Sequence, residues 1–184
     1  YIMDFADEKS YSTYTGLFRN GEPSGDGIYK IFHDENIAVL EGHYDLQNGF
    51  SGYVTNLETS YLYNGITFTG IYTGNYTDDQ PNGKGNFESE GDYFFYYDGI
   101  WDKGDIVGPG QLNTNNAKIS INGNITRASY EGHIENGSFN GQGTISIINK
   151  SVSYVYSGNW LNNLYSGEGT LTVSGIDILN YTYN

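Results

Sequence analysis

Residues 130–143 read Tyr130-Glu131-Gly132-His133-Ile134-Glu135-Asn136-Gly137-Ser138-Phe139-Asn140-Gly141-Gln142-Gly143. Side chains of a strand alternate between faces, so Tyr130, Gly132 and Ile134 share one face while Glu131 and His133 take the other. Asn136-Gly137 then supplies the strongest short signal for a hairpin turn, because both central residues of a type I′ turn need positive φ. Gly141-Gln142-Gly143 opens the return strand. Its glycines either take positive φ or let the backbone pass close under a ring. This stretch alone predicts an antiparallel hairpin with a glycine between two large side chains.

The pattern recurs. Tyr14-Thr15-Gly16-Leu17-Phe18 precedes Gly25 and Gly27, and Tyr72-Thr73-Gly74-Asn75-Tyr76 precedes Gly83 and Gly85. Tyr97-Asp98-Gly99-Ile100-Trp101 precedes Gly108 and Gly110, and Tyr156-Ser157-Gly158-Asn159-Trp160 precedes Gly167 and Gly169. In all five copies the lead glycine stands nine residues before the Gly-x-Gly. A sixth copy, Leu40-Glu41-Gly42-His43-Tyr44, continues as Phe50-Ser51-Gly52 and lacks the second half of the motif. The lead glycines at 16, 42, 74, 99, 132 and 158 are separated by 26, 32, 25, 33 and 26 residues. That alternation defines a two-repeat superunit of 57 to 59 residues. Each long gap holds an Asn-Gly, at Asn64-Gly65 and Asn122-Gly123, which predicts an enlarged hairpin in alternate repeats.

Between the motifs, strand-like runs are separated by polar turns. Ile28–Phe32 leads to a turn at 33–36 and a return at Ile37–Leu40; Thr144–Ile148 leads to Asn149-Lys150 and returns at Val152–Tyr156. Glu90-Gly91 precedes the run 92–97 in the same way. No helical periodicity of useful length is present. The reading is all-β, a meander of about six hairpin repeats. Repeats begin near 14, 40, 72, 97, 130 and 156. Residues 14–174 form the array, 1–13 an N-terminal cap and 175–184 a C-terminal cap strand, covering edges that would otherwise aggregate.

Composition narrows the function. The 184 residues carry 8 basic and 22 acidic side chains, a net charge of −14. Such a surface repels phosphate, which disfavours nucleic acid and anionic lipid as partners. There is no cysteine, so disulfides and thiolate metal sites are excluded. The richness in Tyr, Asn, Gly and Thr points to a secreted or surface protein of a bacterium, with the cytoplasm as the alternative.

Aromatic-x-Gly-x-aromatic, then Asn-Gly, then Gly-x-Gly resembles the MORN repeat (membrane occupation and recognition nexus), from Tyr14 to about Leu171. Asn20-Gly21 to Gly27 and Asn136-Gly137 to Thr144 match best. The resemblance implies an elongated, single-layer, twisted antiparallel sheet. It also implies protein contacts, scaffolding or homodimerisation, with lipid association proposed for the family, and no catalysis or cofactor. A second resemblance is to aromatic- and glycine-rich cell-wall-binding repeats, which depend on tryptophan-rich cages; here Trp101 and Trp160 are the two tryptophans.

Candidate sites follow from residue type. The ladder of rings is expected to be mainly core, with a ring from each neighbouring strand lying in the slot that a lead glycine leaves. Trp101, Trp160, Tyr76 and Tyr44 are the candidates for an exposed platform that would stack on sugars or a peptide. His43 and His133 both follow a lead glycine and belong on the opposite face, too far apart for one ion. Carboxylates gather at Asp34-Glu35, Asp78-Asp79 and from Asp102 to Asp105; Asp78-Asp79 is a candidate for weak calcium binding. Catalysis by a carboxylate pair needs a cleft and a raised pKa, which polar turns do not provide. No nucleophile elbow or phosphate loop is present.

Overall fold

A computed structural model describes residues 2–4, 10–89, 94–121, 124–149, 152–175 and 178–183. The predicted turns at Glu90-Gly91 and Asn122-Gly123, Lys150 of the turn at Asn149-Lys150, and residues 1, 5–9, 176, 177 and 184 of the two predicted caps lie outside these residues. Within them the chain is strand and turn, without helix. The strands are β1 (Ile2–Asp4), β2 (Ser10–Arg19), β3 (Glu22–His33), β4 (Asn36–Asp45), β5 (Gly49–Tyr63), β6 (Ile66–Thr77) and β7 (Gln80–Ser89). They continue as β8 (Phe95–Asp102), β9 (Asp105–Ile121), β10 (Asn124–Glu135), β11 (Ser138–Asn149), β12 (Val152–Leu161), β13 (Leu164–Gly175) and β14 (Ile178–Tyr183). Each hydrogen-bonds to its neighbour in chain order in one open sheet, the meander that short polar turns impose. Residues divide into two compact units. One comprises Tyr1–Thr59, Ile71–Phe87 and Ile100–Asp105; the other comprises Ser60–Gly70, Glu88–Gly99 and Ile106–Asn184.

In the first unit, Tyr14, Phe50, Val54, Tyr72, Phe87 and Trp101 are buried. In the second, Tyr97, Leu112, Ile119, Tyr130, Ile134, Phe139, Ile145, Tyr156 and Trp160 are buried, and Phe95 gathers Tyr61, Tyr63 and Phe68 around it at ring distances of 5.5, 5.0 and 4.9 Å. The alternation is direct in β12: Tyr156, Gly158 and Trp160 are buried while Ser157 is exposed and Asn159 half-buried. Each buried ring withdraws on the order of 150–250 Å² from water.

The two glycines of each Gly-x-Gly do different work. The first takes positive φ, as at Gly25 (82°), Gly83 (95°), Gly108 (81°), Gly141 (79°) and Gly167 (64°). Where register is defined, this glycine sits in a bulge. Pairing jumps from Gly132↔Gly143 to Ile134↔Phe139, so β11 carries two extra residues there. The same slip occurs from Gly16↔Gly27 to Phe18↔Pro23 and from Gly158↔Gly169 to Trp160↔Tyr165. The second glycine pairs directly with the lead glycine, and the two bare backbones leave a floor for one ring.

That ring is not the one expected. It comes from the same strand: Tyr14 lies over Gly16 and Gly27, Tyr72 over Gly74 and Gly85, Tyr97 over Gly99 and Gly110, Tyr130 over Gly132 and Gly143, and Tyr156 over Gly158 and Gly169. The side chain folds along its strand onto the glycine two residues on, which no Cβ obstructs. In the sixth, incomplete copy the expected arrangement does occur: the lead residue is Leu40, and Phe50 of the next strand covers the Gly42–Gly52 pair. There the strands keep a continuous register, and a turn over residues 46–48 replaces the bulge. The Asp45 carboxylate caps that turn by accepting the Gln47 and Asn48 amides, which holds its pKa below the usual carboxylate value.

Candidate interaction surface

The second aromatic of each even copy reaches back to the lead tyrosine of the copy before it. Tyr44 meets Tyr14 at 5.3 Å and 81°, Trp101 meets Tyr72 at 5.5 Å and 85°, and Trp160 meets Tyr130 at 5.8 Å and 83°. These are edge-to-face contacts, the geometry that ring quadrupoles favour. Both indoles also donate Nε1–H to a repeat-equivalent carbonyl, Trp101 to Gly85 and Trp160 to Gly143, each at 3.0 Å. The alternation of short and long gaps therefore has a packing counterpart: copies interlock in pairs.

This arrangement corrects the placement of the tryptophans. Trp101 is 2% exposed and Trp160 3%, so neither ring offers a face to a ligand. Each is drawn inward because one site satisfies its ring and its N–H together. Tyr44 and Tyr76 are half-buried. Tyr76 packs on Tyr72 at 5.3 Å, and burial, followed by the charge of Asp79, pushes its hydroxyl up to about 12. The Tyr44 hydroxyl is buried without a hydrogen-bond partner, and desolvation followed by its neighbours Tyr29 and Tyr14 raises its pKa strongly. Lead tyrosines in three copies satisfy theirs locally: Tyr72 donates to Asn75 O at 2.9 Å, Tyr130 to His133 O at 3.0 Å and Tyr156 to Asn159 O at 2.9 Å.

The turns form a second repeat-wide system. Asn20-Gly21, Lys103-Gly104 and Asn136-Gly137 have two consecutive positive φ angles, and so do Asp78-Asp79 (51° and 60°) and Asn162-Asn163 (50° and 65°), without glycine. In the last two cases the preceding copy holds the turn. Asp79 N–H donates to Phe50 O at 3.0 Å while its carboxylate accepts Phe50 N–H at 2.8 Å. Asn163 makes the same pair with Phe139, at 3.1 and 2.7 Å. The Asp79 carboxylate thus has a structural use, and the described residues include no cluster of metal-ligating groups, so the calcium reading of Asp78-Asp79 gains no support. His43, exposed, bonds to Asp26 at 2.9 Å, and His133, half-buried, bonds to Gln111 at 3.2 Å.

Some of the accessible apolar residues sit beside the turns. Leu17 and Phe18 are exposed in the first unit, and Leu161, Leu164 and Tyr165 in the second. Phe18, a ring of the ladder expected to be core, is thus exposed, whereas Leu17, Leu161, Leu164 and Tyr165 drew no notice because isolated apolar residues near turns carry no motif.

An antiparallel meander whose copies interlock through a glycine-floored tyrosine is a repeat module. The family model for the MORN repeat matches residues 14–31, 72–90, 130–151 and 156–173. The chain carries MORN repeats at these four places, and MORN repeats are non-enzymatic modules that mediate protein or membrane interactions. None of the curated proteins compared with the chain matches it.

Proposed function

We propose that this chain is a non-catalytic scaffold that binds other proteins through the exposed apolar residues beside its turns. One observation carries the reading. Trp101 and Trp160 are interior, while Leu161 and Leu164, paired across β12 and β13, stand exposed together beside their turn. Such a cluster costs solubility unless it is used. The net charge of −14 keeps the array soluble and argues against anionic lipid as the partner. Composition further supports placement on a bacterial surface or in a secreted protein, which cell fractionation of the source organism tests.

The binding test is a selection of displayed peptides on the immobilised chain, run beside a glycan array. Selected peptides are expected to bind in solution and to lose affinity for Leu161→Asp and Leu164→Asp chains. Saturable glycan binding with no peptide binding overturns the proposal.

A further inference from the structure

The face of β2–β5 opposite the tyrosine ladder carries an apolar surface. Register sets Tyr11, Phe32 and Ile37 in one row across three strands, and Ile28, Glu41 and Tyr53 in another. Lys30 and Val39 pair in the row between them. Tyr11, Ile28, Ile37 and Tyr53 are exposed, and Tyr11 stacks on Phe32 at 4.4 Å. Lys30 and Glu41 are exposed as well, and among the described residues neither side chain has a bonded partner.

The repeat supplies its own control. Gly132 and Gly158 follow Gly16 and Gly42 at one and the same interval, so copies five and six superimpose on copies one and two in register. Where the first two copies place Tyr11, Ile28, Ile37 and Tyr53, the last two place Arg127, Thr144, Ser153 and Thr170. The same hairpins therefore form with polar side chains at these positions. The apolar ones in the first copies answer to something other than folding, since an exposed apolar patch is a liability unless it is covered.

We infer that this face packs on the same face of a second copy of the chain. Lys30 and Glu41 lie diagonally on adjacent strands, and that pair of opposite charges makes the patch complementary to itself under a two-fold axis. At ordinary strand and residue spacings, an axis between them sets Lys30 of each copy against Glu41 of the other. The same rotation brings Ile28 to Ile28 and Val39 to Val39 beside the axis, and Phe32 to Tyr53. The strands of the two copies then cross steeply, in the orthogonal class of sheet packing. The net charge of −14 on each copy acts at long range, and at about 0.15 M salt it is screened beyond roughly 8 Å. The face spans four strands and about 20 Å along each, which is small for a protein interface, so the dimer dissociates on dilution. This surface shares no residue with the cluster at Leu161 and Leu164.

Sedimentation equilibrium of the full chain at about 0.15 M salt tests this, and a reversible monomer–dimer equilibrium is expected. Ile28→Asp should weaken the dimer roughly tenfold or more. Thr144→Asp, at the equivalent place in copy five, should leave it unchanged, and circular dichroism checks that both variants stay folded. Lys30→Glu and Glu41→Lys should each weaken self-association about threefold to tenfold, because like charges then meet twice. An equimolar mixture of these two variants should recover the affinity of the unaltered chain, since each supplies the charge the other lacks. A chain that stays monomeric at millimolar concentration overturns the inference, as does a dimer indifferent to Ile28→Asp or a mixture that fails to recover. If the chain is monomeric while selected peptides still depend on Leu161 and Leu164, this inference falls and the protein-binding reading above stands. Selected peptides that lose affinity for the Ile28→Asp chain, with no dimer formed, give the face to another protein and likewise overturn it.

Discussion

The Trp160 indole donates its N–H to the carbonyl of Gly143, the glycine that lies with Gly132 beneath Tyr130. One residue of a late copy thereby locks the ring, the floor and the strand of an earlier one. The contact combines a part-buried hydrogen bond with an edge-to-face ring pair, so it is directional as well as apolar. Trp160→Phe keeps most of the ring but strands the carbonyl, which should cost about 1–2 kcal/mol. Trp160→Ala also opens a cavity and should cost about 3–5 kcal/mol. Urea unfolding followed by circular dichroism measures both.

The glycine pairs should tolerate no side chain. A Cβ on Gly132 would stand 2.5 Å from the Gly143 Cα and 2.6 Å from the Tyr130 hydroxyl, and neither can retreat. Gly132→Ala and Gly158→Ala are therefore expected to destabilise by about 3 kcal/mol or more, against less than ~1 kcal/mol for an exposed strand position such as Ser157→Ala. Equal losses at all three positions would contradict the packing described.

Two tyrosine hydroxyls should respond with opposite sign. Tyr44→Phe removes a buried oxygen that has no partner, and is expected to leave stability unchanged or raise it by up to about 1 kcal/mol. Tyr72→Phe removes the bond to Asn75 O and should lower stability by about 1 kcal/mol. The difference between the denaturation midpoints of these two variants is the readout.

Alkaline pH should loosen the array. Tyr63 and Tyr76 are each held at about 12 when folded, above the ordinary tyrosine value of 10.0, mainly by burial. In the unfolded chain these hydroxyls ionise first, so between the two values the unfolded state binds fewer protons and unfolding becomes easier as pH rises. Stability is full below about pH 10 and declines as pH climbs through the folded values. Denaturation midpoints measured across that range should fall steadily, and less steeply in a Tyr63→Phe/Tyr76→Phe chain.

Much of this was legible in the residues. The spacing of Gly16, Gly74, Gly99, Gly132 and Gly158 placed the hairpins, and Asn20-Gly21 and Asn136-Gly137 placed turns. The placement of Trp101 and Trp160 was not. Alternation says which residues share a face, not which rotamer a ring adopts, so Tyr130 could not be assigned to its own glycine. A signal did exist: both tryptophans, Trp101 and Trp160, fall in even copies, whereas the odd copies carry Phe18, Tyr76 and Ile134. The turn at Asp78-Asp79 read as a charged loop because its match to Asn162-Asn163 depends on a backbone bond to Phe50 that composition does not encode. The apolar edge near Leu164 and Tyr165 lacked any periodic mark.

The account rests on lead tyrosines lying flat over paired glycines, and proton chemical shifts of glycine test that most directly. Ring currents should move at least one Hα of Gly132, Gly143, Gly158 and Gly169 well upfield, and Tyr130→Leu should return Gly132 and Gly143 to ordinary strand values while leaving Gly158 and Gly169 shifted. Ordinary shifts at all four glycines in the unaltered chain would contradict it.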